Sequence, residues 1–152
     1  MSSCKIRPMT PEDLTQVCRI ENETFSEPWS RNGFLSSLSS GDTLYLVALH
    51  DDAVVGYCGL LQSFEEADIT NVAVASAYRR QGIARRMLEQ LMDMGSIRGI
   101  RRFTLEVRAG NTTAIHLYET LGFAAAGIRK RFYSRPEEDA LIMWTGMDEV
   151  SV

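Results

Sequence analysis

Thr70-Asn71-Val72-Ala73-Val74-Ala75-Ser76-Ala77-Tyr78-Arg79-Arg80-Gln81-Gly82-Ile83-Ala84-Arg85-Arg86-Met87-Leu88 decides the reading of this chain. A short β-rich run passes through a turn that carries a glycine and continues as a helical pattern. Ile83, Met87, Leu91 and Met94 recur at helix spacing, with Leu88 beside them, so one helix face is apolar. Arg79, Arg80, Arg85 and Arg86 stand in the first turns. A strand feeding such a helix start makes an anion site, because the first N–H groups of a helix lack internal partners and the helix dipole favours negative charge there. Gly82 has no Cβ and lets the backbone come close to a bulky anion. The expected anion is a phosphate or pyrophosphate.

The spacing is neither G-x-x-x-x-G-K-[ST] nor G-x-G-x-x-G. What stands here is Arg79-x-x-Gly82-x-Ala84 after a Val-Ala-Val strand. It resembles the pyrophosphate-binding signature of the GNAT acyltransferases, in which a strand end and the following turn hold acetyl-coenzyme A through backbone N–H groups. The resemblance implies that Val72, Ala73 and Val74 line the pantetheine arm. It implies that Arg80, Gln81, Gly82, Ile83, Ala84 and Arg85 wrap the pyrophosphate.

At 152 residues the chain reads as a single domain, 1–152, long enough for a substantial core. The net charge of −4 speaks against general nucleic-acid binding, which needs a strongly positive surface. It makes the local arginine cluster more telling. An acidic surface also suits a basic protein or peptide substrate. Three cysteines, Cys4, Cys18 and Cys58, are too few and too widely spaced for a disulfide framework. With only His50 and His116 available, no zinc-ligand spacing exists, and no metal is expected. Glu12 and Asp13 interrupt any apolar leader. The longest apolar run, Ala53 to Leu61, is far short of a membrane span. The expected compartment is the cytoplasm.

Lys5 to Met9 reads as a strand, and Thr10-Pro11-Glu12-Asp13 as a helix start capped by Thr10. Pro28 ends that helix, and Ser30 caps a second one carrying Phe34, Leu35 and Leu38. Thr43 to Leu49, Ala53 to Leu61 and Glu65 to Val74 form a meander, with a hairpin at His50-Asp51-Asp52. Gly56 and Gly59 in the second of these strands mark close backbone approach or a bulge. After the basic helix, Gly95 to Gly99 is expected to turn the chain into a strand over Arg101 to Val107. Asn111 caps a helix that stops at Gly122. Strands over Phe123 to Tyr133 and Glu138 to Met147 complete the order β-α-α-β-β-β-α-β-α-β-β. This is an α/β fold with a mixed central sheet and helices on both faces. It is the element order of the GNAT fold, which implies a sheet splayed at a cofactor cleft between the strands ending near Val74 and Val107.

Acetyl transfer to an amine needs a proton acceptor, a donor for the developing oxyanion and an acid for the leaving thiolate. Glu106 interrupts the strand Thr104-Leu105-Glu106-Val107-Arg108 and faces away from Leu105 and Val107. It is an exposed carboxylate, a partner of Arg108, or a partly desolvated base acting on the amine, in the last case through water. Tyr118 is a core aromatic at helix spacing, or a phenol that stays protonated beside a thiol of pKa about 8.5 and donates to it. Asn111 is a helix cap and also within the compass of the pantetheine amides. His116, a lone helical histidine, is left as structural.

A wider pattern now counts. Leu105-Glu106-Val107-Arg108-Ala109-Gly110-Asn111, with Ala114-Ile115-x-Leu117-Tyr118-Glu119-x-Leu121-Gly122-Phe123 after it, resembles the N-terminal protein acetyltransferases of the GNAT superfamily. The nearest type is RimI, the bacterial ribosomal-protein-alanine N-acetyltransferases. Phe25-x-x-Pro28-Trp29-Ser30, Arg129-Lys130-x-Phe132-Tyr133 and Glu138-Asp139-Ala140-x-Ile142-Met143 extend the likeness over nearly the whole chain. The resemblance implies Glu106 as proton acceptor, Tyr118 as proton donor, and loops bearing Trp29 and Tyr133 around the substrate's N-terminus. It implies the N-terminal alanine of the eighteenth small-subunit ribosomal protein as acceptor, with no direct nucleic-acid or membrane partner. Phe132 stands where a tyrosine is frequent, one hydroxyl fewer for the peptide. Two other readings stay open: the same chemistry on a lysine side chain or small amine, and a coenzyme-A-binding regulatory module without turnover.

Overall fold

Thr10 turns the chain out of its first strand, its N–H donating to Asp13 Oδ2 at 2.8 Å. The computed structural model describes residues 4–146. Strand β1 (Lys5–Pro8) leads into a 3₁₀ turn at Pro11–Asp13 and then α1 (Leu14–Thr24). The first turn is therefore tighter than the α-helical start the sequence predicts. Asp13 is buried there and also receives both terminal nitrogens of Arg7 at 2.8 Å. Helix α2 (Arg31–Leu38) begins at Ser30, whose Oγ accepts from Gly33 N–H at 3.0 Å.

Strands β2 (Thr43–His50) and β3 (Ala53–Ser63) form the expected hairpin. Asp51 and Asp52 take φ of 51° and 68°, which aspartate tolerates better than most residues and which suits the twist of a short hairpin. Then come β4 (Glu66–Val74), α3 (Ile83–Ile97), β5 (Arg102–Arg108), α4 (Thr112–Thr120), β6 (Ala124–Tyr133) and β7 (Glu138–Gly146). Met147, assigned from sequence to the last strand, lies outside the described residues. Gly95 lies inside α3, not in the predicted turn. A Cβ there would come within 3.1 Å of Ile100 and of the Phe103 ring. The glycine lets the helix end lie against β5, and the chain turns at Gly99, with φ of 92°.

The seven strands form one sheet in the order β1-β2-β3-β4-β5-β7-β6. All neighbours are antiparallel except β4 and β5, which are parallel. Alternation along the strands separates two cores. On one face Met87, Leu88 and Leu91 of α3 and Tyr118 of α4 meet Leu46, Cys58, Leu60, Phe103, Leu105 and Val107. On the other, Leu14, Val17 and Ile20 of α1 and Phe34 of α2 meet Tyr45, Val47, Tyr57 and Ala73. Each large side chain buried here contributes about 1.5–3 kcal/mol. The helix-periodic residues of α3 are buried as the pattern requires, apart from Met94, which is half-buried. The layered fold holds the fourth and fifth strands between two cores.

Candidate active site

The sheet opens between β4 and β5. They pair only at Glu66↔Arg102, Ala67↔Phe103 and Asp68↔Thr104, and beyond that the strands diverge. The cause is visible in β4. Its pairing with β3 passes from Leu60↔Ile69 to Gly59↔Asn71, so Thr70 is an extra residue. A bulge bends a strand and increases its twist, and this one carries the end of β4 away from β5. Gly59 admits the ring of Tyr45, to which a Cβ would come within 2.1 Å. Of the two alternatives expected at that glycine, close backbone approach or a bulge, the bulge is present, and the close approach is made by the Tyr45 ring and not by backbone.

Val72, Ala73 and Val74 line the β4 edge of the gap, Val72 half-buried and the other two buried. The chain then passes a 3₁₀ turn at Ser76–Tyr78 and enters α3 through Arg80 and Gly82, with φ of 64° and 79°. The first helical bond runs from Arg86 N–H to Gly82 O at 3.1 Å. Among the described residues the N–H groups of residues 80–85 therefore have no protein acceptor. A Cβ on Gly82 would meet nothing within 4 Å, so the loop faces open space. A nest of free donors at a helix N-terminus, in front of a backbone without a side chain, fits a pyrophosphate.

The arginines divide differently from the sequence expectation. Arg79 Nε donates to Val74 O at 3.0 Å and closes the end of β4. Arg86 reaches Cys4 O at 3.1 Å. Arg85 is tied to Glu89 at 3.2 Å and to Thr120 Oγ1 at 2.8 Å, which anchors α3 to α4. Among the described residues only Arg80 of the four leaves its guanidinium unpartnered. Gln81 is exposed, Ile83 is buried and Ala84 is half-buried, so these contribute backbone to the loop. Asn111 Oδ1 accepts from Ala114 N–H at 3.2 Å, which makes it the helix cap.

Glu106 and Tyr118 stand on opposite sides of the opening. Leu105 and Val107 belong to the core under α3 and α4, so Glu106 projects to the α1/α2 side. Its partner is Arg129, whose Nε lies 2.8 Å from Oε2, not Arg108. Arg108 instead bonds Glu138 Oε1 at 3.2 Å, Pro136 O at 2.9 Å, Ser134 O at 3.2 Å and Ser26 Oγ at 3.5 Å. Its guanidinium stacks 4.5 Å from the Tyr133 ring centroid. Ser134 Oγ in turn donates to Glu27 Oε2 at 3.1 Å. The loop after α1 and the β6–β7 loop are thus clasped to each other. Burial, Glu106 and Glu138 hold the Tyr133 phenol above its usual pKa, against the opposing effect of Arg108.

Tyr118 is 8% exposed, packs edge-on against Phe123, and has no hydrogen bond to its hydroxyl among the described residues. Burial, with smaller contributions from Tyr133 and Cys58, pushes its pKa up to about 12, so it is a neutral donor at working pH. Trp29 is placed by packing and by its main chain: its ring lies 5.2 Å from that of Phe34, and its backbone N–H donates to Glu21 Oε2 at 2.9 Å. Glu21 is 2% exposed, and its Oε1 accepts from Tyr57 at 2.5 Å. Sequence reasoning passed over this buried carboxylate. The only signal was an acid on the apolar side of α1, one residue after Ile20.

The fold, the splayed strands and the donor-rich helix start are those of an acyl-coenzyme A N-acyltransferase. The GNAT acetyltransferase family model matches residues 14–123, and the chain belongs to that family. GNAT acetyltransferases use acetyl-coenzyme A as acyl donor. The ribosomal protein bS18-alanine N-acetyltransferase of Escherichia coli (strain K12) is 38% identical over 134 residues, 86% of this chain and 89% of its own. That of Salmonella typhimurium is 36% identical over 138 residues, covering 89% and 92%. The crystal structure of the E. coli ribosomal-protein-S18-alanine N-acetyltransferase superposes with a TM-score of 0.87 at 34% identity, over 95% of this chain and 94% of that one. Among the described residues no helix is long and apolar enough to cross a membrane.

Proposed function

We propose that the chain, as one domain over 1–152, transfers the acetyl group of acetyl-coenzyme A to the N-terminal alanine of ribosomal protein bS18. The observation that carries this is the opening between β4 and β5, with a carboxylate on one face and a neutral phenol on the other. The names of the relatives supply the acceptor. Val72, Ala73 and Val74 line the pantetheine arm, Asn111 stands near it, and the backbone of Arg80, Gln81, Gly82, Ile83, Ala84 and Arg85 takes the pyrophosphate.

The amine approaches from the α1/α2 face, under the clasp of the two loops that carry Trp29 and Tyr133. An ammonium has no lone pair, so Glu106 takes its proton, directly or through water. The nitrogen attacks the thioester carbonyl in the gap. The carbon–sulfur bond breaks, Tyr118 protonates the departing sulfur from the opposite face, and the second proton that the nitrogen sheds on becoming an amide leaves through water and restores the Tyr118 phenol. A base and an acid on opposite faces of one opening suit a direct transfer, in which one group leaves as the other enters.

The test is coenzyme A release with two peptides, one with the free bS18 terminus and one N-terminally blocked with an internal lysine. Turnover of the first alone is expected. Turnover of the second alone makes the acceptor a lysine, and turnover of neither removes the peptide reading and leaves a small amine or a binding module, which an assay of small amines separates. Glu106→Gln should lower kcat/KM by about 10²–10⁴, the usual worth of a positioned base. The loss should shrink as pH passes the amine's own pKa, about 8. Full activity of this variant at every pH would remove Glu106 from the proposal.

A further inference from the structure

Asn71 is 5% exposed, and its Oδ1 is buried without a hydrogen-bond partner among the described residues. Leaving a buried acceptor unpaired is costly, and such an atom in a folded protein calls for an explanation. Three observations place it. Asn71 pairs with Gly59, over which Tyr45 packs, so its side chain is on the α1/α2 face of the sheet, as Glu106 is. β4 and β5 last pair at Asp68↔Thr104; Glu106 is two residues further along β5. Asn71 is three residues beyond Asp68, one of them the bulged Thr70. Asn71 and Glu106 are therefore opposite numbers across the opening, on the face from which the acceptor enters.

We propose that Asn71 Oδ1 takes one N–H of the acceptor amine and is a substrate-positioning residue. The inference rests on the acetyltransferase reading above and deepens it. An ammonium brings three N–H donors. One proton leaves to Glu106, and a second N–H is held by the Asn71 amide oxygen. The lone pair forms where the departing proton was, and the bond to Asn71 keeps the nitrogen at the opening while it turns about its Cα–N bond to bring that lone pair to the carbonyl in the gap. An amide suits this task better than a second acid. It orients the nitrogen without a full negative charge, which would favour the ammonium and oppose the loss of its proton. The bulge at Thr70 thus does two things: it parts the strands and turns an acceptor onto the face that meets the amine.

The test compares wild type with Asn71→Leu, of similar size, and Asn71→Asp, using a peptide with a free N-terminus and the same peptide lacking its α-amine. Three readouts are needed: kcat/KM, peptide affinity in the presence of coenzyme A, and the thermal midpoint. For Asn71→Leu, kcat/KM should fall at least about tenfold, the order of one lost hydrogen bond. The affinity margin of the amine peptide over the amine-free peptide should shrink with it. The thermal midpoint should hold or rise, because the buried unpaired acceptor is gone. Asn71→Asp should move the acid limb of kcat/KM up by about one pH unit, because a second carboxylate holds the amine protonated. Wild-type kcat/KM in Asn71→Leu overturns the inference alone. A loss of activity that follows a fallen thermal midpoint, with the amine margin and the pH limb unmoved, makes the residue structural and overturns it too. A wild type that acetylates no free-amine peptide overturns the peptide acetyltransferase reading, and this inference with it.

Discussion

Arg129 on β6 reaches across β7 to Glu106 on β5, Nε to Oε2 at 2.8 Å. The carboxylate assigned the proton is therefore already paired with a cation in the protein alone. Arg129 is 56% exposed and also lies over the Phe132 ring, 5.5 Å from its centroid. An incoming ammonium competes with this guanidinium. A half-exposed ion pair is worth about 0.2–1 kcal/mol. Arg129→Met, which keeps an apolar stem over Phe132, should lower the peptide KM about 1.5- to 5-fold in steady-state assays. A higher KM would show instead that Arg129 serves the substrate.

In the proposed transfer Tyr118 carries the acid half of the chemistry. With a pKa of about 12 it is neutral wherever the enzyme works and can hydrogen-bond the departing sulfur; a thiolate of conjugate pKa about 8.5 is too weak a base to strip that proton alone, so the transfer is coupled to the phenol's recapture of the proton that the nitrogen sheds. Tyr118→Phe retains the ring against Phe123 and removes only the hydroxyl. The expected outcome is a kcat lower by about 10²–10⁴ with the acetyl-coenzyme A affinity within about twofold, read by steady-state kinetics and by calorimetry. A kcat equal to wild type would leave the tyrosine as core only.

Most of the architecture was legible in the sequence because period and punctuation agree. Ser30 and Asn111 cap helices as their chemistry requires, and Gly122 takes the positive φ that stops α4. Gly95 was misread because a glycine near a helix end looks like a stop, whereas here it makes room for Phe103. That information lies in a strand several residues on, not in the local pattern. The pairings of the candidate site were the least legible part. Nothing in the order Arg108-x-…-Arg129 says which arginine meets Glu106, because that depends on β7 lying between β5 and β6. Nor does the sequence show that Arg85 turns to Thr120 and leaves the loop to its backbone. Gly59 signalled a bulge, but the extra residue's place at Thr70 and the unpaired Asn71 were hidden for the same reason: the register of β3 against β4 sets both.

Gly82 tests the anion site. Its φ of 79° is strained for a residue with a Cβ, at about 1–2 kcal/mol, yet the added atom would touch no protein neighbour. Gly82→Ala should therefore fold with a modest loss of thermal stability. In the proposed site the methyl group stands where the backbone approaches the pyrophosphate, so the acetyl-coenzyme A KM should rise at least about tenfold, while peptide KM changes little. An unchanged coenzyme A affinity would move the pyrophosphate away from this loop.

Glu21 and Tyr57 anchor the loop that carries Trp29. Glu21 is satisfied at both oxygens, by the Tyr57 hydroxyl at 2.5 Å and Trp29 N–H at 2.9 Å, so the buried carboxylate fixes the loop that follows α1. Tyr57→Phe removes one donor and leaves Glu21 Oε1 buried and unpaired, which should cost about 1–3 kcal/mol in denaturant unfolding. Burial first, and Glu21 second, push the Tyr57 pKa well above its ordinary value of 10.0. The sign of the pH effect follows. Above about pH 10 the unfolded chain releases the tyrosine proton while the folded chain keeps it, so stability falls as pH rises. Tyr57→Phe should be less stable at neutral pH but lose less between about pH 9.5 and 11 than wild type does. Parallel stability curves for the two proteins across that range would mean that this hydroxyl does not resist ionisation in the fold.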